Sequence, residues 1–315
     1  MMRFDGFAGN DAVKRRLSGA FSAGRVGHGY LICGPDGSGK HTLARILTAA
    51  MQCTGRDVPC GVCEGCRKAF AGVHPDIITV DDPDHRSMTV DPIRAARSDM
   101  FIRPNEGTRK IYIIPRGQDM NENAQNALLK ILEEPPDYGV FLILSTDAGR
   151  LLPTVRSRCA ELRLGPVPAD EALPILRSRC AGASDDDLRA ALTRAGGFIG
   201  QAIDALTAEP DPFAAQFAAA YAARDRMALL RVLVPLEKQK REQLTVQLSA
   251  LRACLCEALG ARSGFPAGES ARQLAAVRTG AELLQAAQDL QSAVDALAAN
   301  AAPGAVAGWL AMRLH

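Results

Sequence analysis

Gly34-Pro35-Asp36-Gly37-Ser38-Gly39-Lys40-His41 falls one position short of the phosphate-loop pattern GxxxxGK[ST]. In such a loop the backbone N–H groups close around phosphate oxygens. Gly34, Gly37 and Gly39 give the chain room to do so, and Lys40 adds a point charge for the β- and γ-phosphates. The pattern then asks for a Ser or Thr hydroxyl to hold Mg²⁺, and His41 stands in that place. Imidazole is a poor ligand for so hard a cation. Thr42 follows, but one residue along a helix turns by about 100°, so its hydroxyl is no simple substitute. The residues read as a nucleotide site of phosphate-loop descent, with ATP or ADP binding left open and no Mg²⁺ expected. The bland alternative is a strand-to-helix turn that holds nothing.

Hydrolysis needs a second element, an apolar strand ending in acidic residues that hold the metal and orient water. Lys110-Ile111-Tyr112-Ile113-Ile114 is such a strand, but Pro115-Arg116 follows where the acidic pair belongs. Proline offers no ligand and arginine repels a cation. Asp119 comes too late along the chain and reads as a helix cap. With both metal-supporting positions lost, intrinsic hydrolysis is not expected.

Cys53, Cys60, Cys63 and Cys66 form C-x6-C-x2-C-x2-C, a spacing that lets soft thiolates surround one ion. The expected occupant is structural zinc in a closed tetrahedral site without catalysis. An iron–sulfur cluster and unconnected buried thiols are the alternatives. Cys33, Cys159, Cys180, Cys254 and Cys256 lack this grouping, and four of the five read as small buried apolar residues.

These groups need elements to position them. The chain has 315 residues, 47% hydrophobic and 23% charged, with net charge +2. That size predicts more than one domain, and the near-neutral charge argues against a chain that coats nucleic acid alone. No run of 18 apolar residues is present, and the first residues lack the apolar core of a signal peptide. A cytoplasmic protein with reduced cysteines is expected.

Strand-like and helix-like segments alternate in the first half, as in an α/β domain with a parallel sheet. Asn10 is placed to cap a helix carrying Val13, Leu17 and Phe21. Residues 28–33, 76–80, 110–114 and 140–145 read as strands, and 42–51 and 121–132 as helices, the second stopped by Pro135-Pro136. Beyond about residue 165 the strands end. Helices are predicted over 171–180 and 185–194, then a linker at Pro210-Asp211-Pro212, then long Ala- and Leu-rich helices broken near 260–268.

Several stretches together resemble the clamp-loader branch of the AAA+ ATPases, in particular delta-prime-type subunits of bacterial DNA polymerase III. They are His28-Gly29-Tyr30-Leu31 leading into the loop, the four-cysteine insert, His74-Pro75-Asp76, Asn126 to Pro136 (NALLKILEEPP) and Ser157-Arg158-Cys159. The likeness covers roughly residues 1–205. It implies a P-loop AAA+ parallel-sheet domain over 1–165 with a zinc module at about 53–66, a helical lid over 166–208 and an all-α collar over 209–315. It also implies that Arg158 is an arginine finger directed at ATP on an adjacent subunit, where a fixed guanidinium stabilises charge on the phosphoryl group in transit. Thr146 falls near the family's γ-phosphate sensor, and neutral Gln201 falls where a second sensing arginine often stands. Trp309 is expected to serve packing.

Motor subunits of the gamma/tau type retain Lys-Thr and the acidic pair, which this chain lacks. The resemblance therefore implies a non-hydrolysing subunit working with gamma/tau and delta subunits, in a hetero-pentamer that loads sliding clamps on primer–template DNA at the bacterial replisome. An active gamma/tau-type ATPase and a zinc-containing DNA-binding module with a vestigial loop are the competing readings.

Overall fold

The structure, a computed structural model, describes residues 2–83, 85, 87–207, 212–265 and 267–314. Five strands, β1 (Gly29–Cys33), β2 (Ile77–Thr79), β3 (Lys110–Ile114), β4 (Gly139–Ser145) and β5 (Ala160–Arg163), form one sheet in the order β2-β3-β4-β1-β5. Every pairing is parallel. β1 and β4 are buried along their whole length because helices cover both faces, which is why they read as unbroken apolar runs.

The two-residue period of a strand divides the core in two. Tyr30, Ile32, Leu142 and Leu144 pack on one face with Val13 and Leu17 of α1 (Asp11–Ser22) and Leu43 and Leu47 of α2 (Lys40–Met51). α3 (Glu64–Ala71) follows the cysteine segment. Leu31, Tyr112, Phe141 and Ile143 face the other way, onto Ile93 and Met100 of α4 (Val90–Met100) and Leu128 and Ile131 of α5 (Glu122–Glu133).

Two caps differ from expectation. Asn10 precedes α1, but its backbone is left-handed (φ 57°) and its side chain makes no cap bond. Its Oδ1 instead accepts from the Gly165 N–H at 2.8 Å, tying the helix start to the chain beyond β5. Asp119 lies in a short 3-10 turn, and Asn121 caps α5, its Oδ1 accepting from Ala124 N at 2.8 Å. An Asx cap serves only the residue immediately before the first turn, and Asp119 lies two positions too early.

The loop before β3 hangs on Asp76, which is fully buried and accepts backbone N–H bonds from Asn105 (2.6 Å), Glu106 (2.9 Å) and Gly107 (2.7 Å). Burial works to raise its pKa, but the N–H donors overcome this and hold it below the usual carboxylate value.

After β4 come α6 (Pro153–Arg156), β5, α7 (Ala169–Arg179), α8 (Asp185–Arg194) and α9 (Ile199–Thr207). Chain contacts divide the molecule into two compact units, Met1–Ala181 with Ala191–Asp204, and Gly182–Ala190 with Ala205–His315. The second unit holds α10 (Pro212–Ala222), α11 (Arg226–Leu233), α12 (Arg241–Arg262), α13 (Glu269–Val277), α14 (Gly280–Ala298) and α15 (Pro303–Arg313) around a leucine core. Of the predicted linker, Pro210 and Asp211 lie outside the described residues.

Among the described residues, α12 is the one helix long and apolar enough by composition to cross a membrane. Its apolarity has a local cause, because Leu244, Leu248, Leu251 and Leu255 recur on one face and are buried in the helical core. Trp309 packs half-buried on the same core, with the Arg313 guanidinium 5.8 Å from its ring centroid.

Candidate functional site

The glycine-rich loop leaves the C-terminal end of β1 and enters α2, with Gly37 and Gly39 both at positive φ (73° and 92°). Lys40 is buried and folded back into the loop. Its Nζ donates to the carbonyls of Gly34 (2.7 Å) and Pro35 (2.9 Å) and lies 3.5 Å from Asp36. Burial lowers its pKa, against the pull of Asp36. His41 is exposed, and partial desolvation by its neighbours and the charge of Lys40 hold it below the ordinary imidazole value.

A cavity of about 330 Å³ opens beside the loop, lined by Gly37, Gly39, Lys40 and Thr42 with Phe7 and Arg179 among others. Gly34, expected with them, does not line it. Its N–H donates to Ser145 O at 3.2 Å and its carbonyl takes Lys40, so it serves the frame of the loop.

α9 grips the loop from outside. Gly200 N donates to Gly37 O at 2.9 Å, and the Gln201 side chain donates to Asp36 O at 2.8 Å. The approach is so close that a Cβ on Gly200 would lie 2.5 Å from Gly37 Cα. Gln201, expected at a sensing position, is thus bonded to the loop itself.

Arg116 follows the end of β3. Arg116 donates through Nε (3.1 Å) and Nη2 (2.8 Å) to Asp81 Oδ1, and again through Nη2 to Asp82 O (2.8 Å). Asp119 Oδ2 stands 3.9 Å from the same guanidinium. Thr146 is exposed, and its N–H donates to Gln118 Oε1 at 3.1 Å.

Arg158 occupies the opposite end of the sheet. α6 and the turn after it bring Ser157-Arg158-Cys159 to the start of β5, where a Cβ on Gly29 would meet Arg158 O (3.2 Å), Cys159 Sγ (3.2 Å) and Leu132 Cδ2 (3.3 Å). Three motifs noted separately in the sequence, at 28–29, 126–136 and 157–159, therefore meet at one place. Gly29 begins β1 and Gly34 follows its end, so a rise of ~3.3 Å per residue puts roughly 17 Å between this turn and the phosphate loop. The Arg158 guanidinium is half-exposed, with Nη1 donating to Thr154 O (3.1 Å) and Nη2 to Glu133 Oε1 (2.6 Å).

The four clustered cysteine sulfurs lie within 4.8 Å of one another. Backbone N–H groups of Gly55 and Cys60 point at Cys53 Sγ, that of Cys63 at Cys60 Sγ and that of Cys66 at Cys63 Sγ, at 3.3–3.4 Å. Amides aimed at sulfur favour thiolates. They draw Cys63 down to about 6 against its own burial, while burial pushes Cys66 up to about 12. Zinc–sulfur bonds of ~2.3 Å imply sulfurs ~3.8 Å apart in a tetrahedron, and Cys53 and Cys63 already lie 4.0 Å apart. The donor set fits a soft four-coordinate metal ion. Of the other cysteines, Cys33 and Cys180 are buried, Cys159 and Cys254 half-buried and Cys256 exposed.

Sequence reading missed the Glu133 partner of Arg158, the Arg116–Asp81 pair and the grip of α9. Two of these join segments far apart in the chain with no spacing signal. Glu133 lay inside a recognised motif, but nothing in its spacing pointed to Arg158.

The family described as DNA polymerase III, delta subunit, matches residues 9–168. The gamma/tau subunit of DNA polymerase III from Mycobacterium tuberculosis is 36% identical over 197 residues, covering 60% of this chain and 34% of that protein. The delta' subunit from Pseudomonas aeruginosa is 36% identical over 148 residues, covering 46% of this chain and 45% of that one. A gamma-subunit-related protein of known structure from Thermotoga maritima aligns over 97% of this chain and 99% of its own, at 17% identity and a TM-score of 0.48. The chain thus spans about a third of the length of the gamma/tau relative. With the match extending over half of its length, the chain belongs to the DNA polymerase III delta-subunit family, within the clamp-loader AAA+ proteins.

Proposed function

We propose that this chain is a non-hydrolysing, delta-prime-type subunit of a DNA polymerase III clamp loader, which lends Arg158 to ATP held by a neighbouring subunit. One observation carries the reading. The positions that should seat magnesium hold His41 and Arg116, while a half-exposed guanidinium stands at the far end of the sheet, out of reach of its own loop. Arg116 offers Mg²⁺ no oxygen ligand and holds the Asp81 carboxylate in an ion pair, and Lys40 donates to loop carbonyls. Across a subunit boundary, Arg158 would stabilise charge on the γ-phosphoryl group as it transfers.

In this reading residues 1–165 form the AAA+ domain, with Cys53, Cys60, Cys63 and Cys66 holding structural zinc. Residues 166–208 act as the lid and 209–315 as the collar that joins gamma/tau and delta subunits in a cytoplasmic hetero-pentamer. Primer–template DNA and the sliding clamp are partners of that assembly. The zinc would add stability to the segment between α2 and α3 and no chemistry, because all four of its positions are filled by thiolate.

The gamma/tau relatives favour a second reading, an active ATPase subunit, through sequence identity alone. Steady-state turnover by the isolated chain with ATP and Mg²⁺ separates the two. The expected result is no turnover above a protein-free control, and turnover near 1 s⁻¹ or faster, about the range of working enzymes, would support the motor instead.

A further inference from the structure

We propose that Glu133 is the positioning residue for Arg158, fixing the guanidinium in the attitude from which it meets the neighbour's ATP; this rests on the reading of Arg158 given above. Glu133 is the last residue of α5, and its Oε1 accepts from Arg158 Nη2 at 2.6 Å. A carboxylate is disfavoured at that place, because the C-terminal end of a helix carries partial negative charge and favours cations. Glu134 follows directly and adds to the repulsion. Helix stability therefore does not account for Glu133, whereas an arginine drawn to that end does.

The second anchor is backbone. Arg158 Nη1 donates to Thr154 O at 3.1 Å, and the Ser157 hydroxyl donates to the same carbonyl at 3.0 Å. One anchor on each terminal nitrogen fixes the plane of the guanidinium. One N–H on each of those nitrogens is thereby engaged, and the other donors of the fork are left for an incoming anion. The base of the turn is held as well, because Leu132, next to Glu133, and the backbone of Arg158 both close on Gly29.

The pair is built to orient the finger and does not withhold it. Both side chains are half-exposed, at 35% for Arg158 and 48% for Glu133, and an ion pair so open to water is too weak to keep a guanidinium from a triphosphate. It is strong enough, together with the Thr154 carbonyl, to thin out the rotamers of a long side chain before the neighbour arrives.

The test is ATP turnover by the reconstituted multisubunit complex in which the full-length chain carries Glu133→Ala, Glu133→Gln, Arg158→Ala, or Glu133→Ala with Arg158→Ala, with assembly checked by mass. Glu133→Ala should lower kcat about three- to five-fold at the neighbour's site without changing KM for ATP, since only the approach to the transition state is loosened. Glu133→Gln keeps an oxygen acceptor in place and should stay within about two-fold of wild type. The double variant should match Arg158→Ala alone, because Glu133 acts only through the arginine. A Glu133→Ala complex at or above wild-type turnover, beside an impaired Arg158→Ala complex, overturns the assignment of Glu133 and leaves the finger standing. Wild-type turnover with Arg158→Ala overturns the finger, and the assignment of Glu133 with it.

Discussion

At the scale of single residues, the chain shows how chemical identity can be read before geometry and still miss the partner. His41, Arg116 and the four clustered cysteines were legible because each departs from or fulfils a spacing rule that has a chemical reason. Arg116 was expected to repel a metal, but its ion pair with Asp81 depends on β2 and β3 lying side by side, a neighbourhood the sequence does not state. The zinc reading makes a residue-scale prediction. Cys63 belongs to the cluster of four sulfurs, its Sγ 4.0 Å from that of Cys53 and accepting from Cys66 N. Cys63→Ser should therefore release the ion and lower the thermal midpoint of the purified protein, without adding any ATP turnover. Metal analysis of both proteins checks it: about one zinc per wild-type chain and much less in the variant is expected, and metal-free wild-type protein would discard the site.

At the scale of elements, β1, β3 and β4 declared themselves because central parallel strands covered on both sides must be apolar throughout. β5 did not. Ala160-Glu161-Leu162-Arg163 alternates apolar and polar residues as a half-buried edge strand does, but at four residues it is the shortest run from which that period can be read. The grip of α9 on the phosphate loop was equally hidden, since it depends on two glycines more than 160 residues apart. That contact has a measurable consequence. Gly200 has an ordinary helical backbone, so Gly200→Ala adds only a methyl group, placed 2.5 Å from Gly37 Cα. Neither partner is a flexible side-chain end that could yield. The substitution should destabilise the protein by about 1–3 kcal/mol, seen as an earlier midpoint in urea unfolding. An unchanged midpoint would mean that α9 is not seated on the loop in solution.

At the scale of the whole molecule, the account is one of division. The α/β sheet separates two ends, one carrying the glycine-rich loop gripped by Gly200 and Gln201, the other carrying Arg158 bonded to Glu133. The parallel sheet and the helical C-terminal half were legible in the sequence because alternating elements and long amphipathic stretches are properties of local pattern. The seating of Gly200 on the phosphate loop was not, because its partner Gly37 lies far along the chain. The direct trial of this division is a single comparison of steady-state ATP turnover in the reconstituted complex, with the chain carrying either Lys40→Met or Arg158→Ala. The account predicts wild-type turnover with Lys40→Met, whose site takes no part in hydrolysis, and a clear loss with Arg158→Ala, on the order of 10³ at the one site the finger serves. Collapse with Lys40→Met and full activity with Arg158→Ala would contradict it.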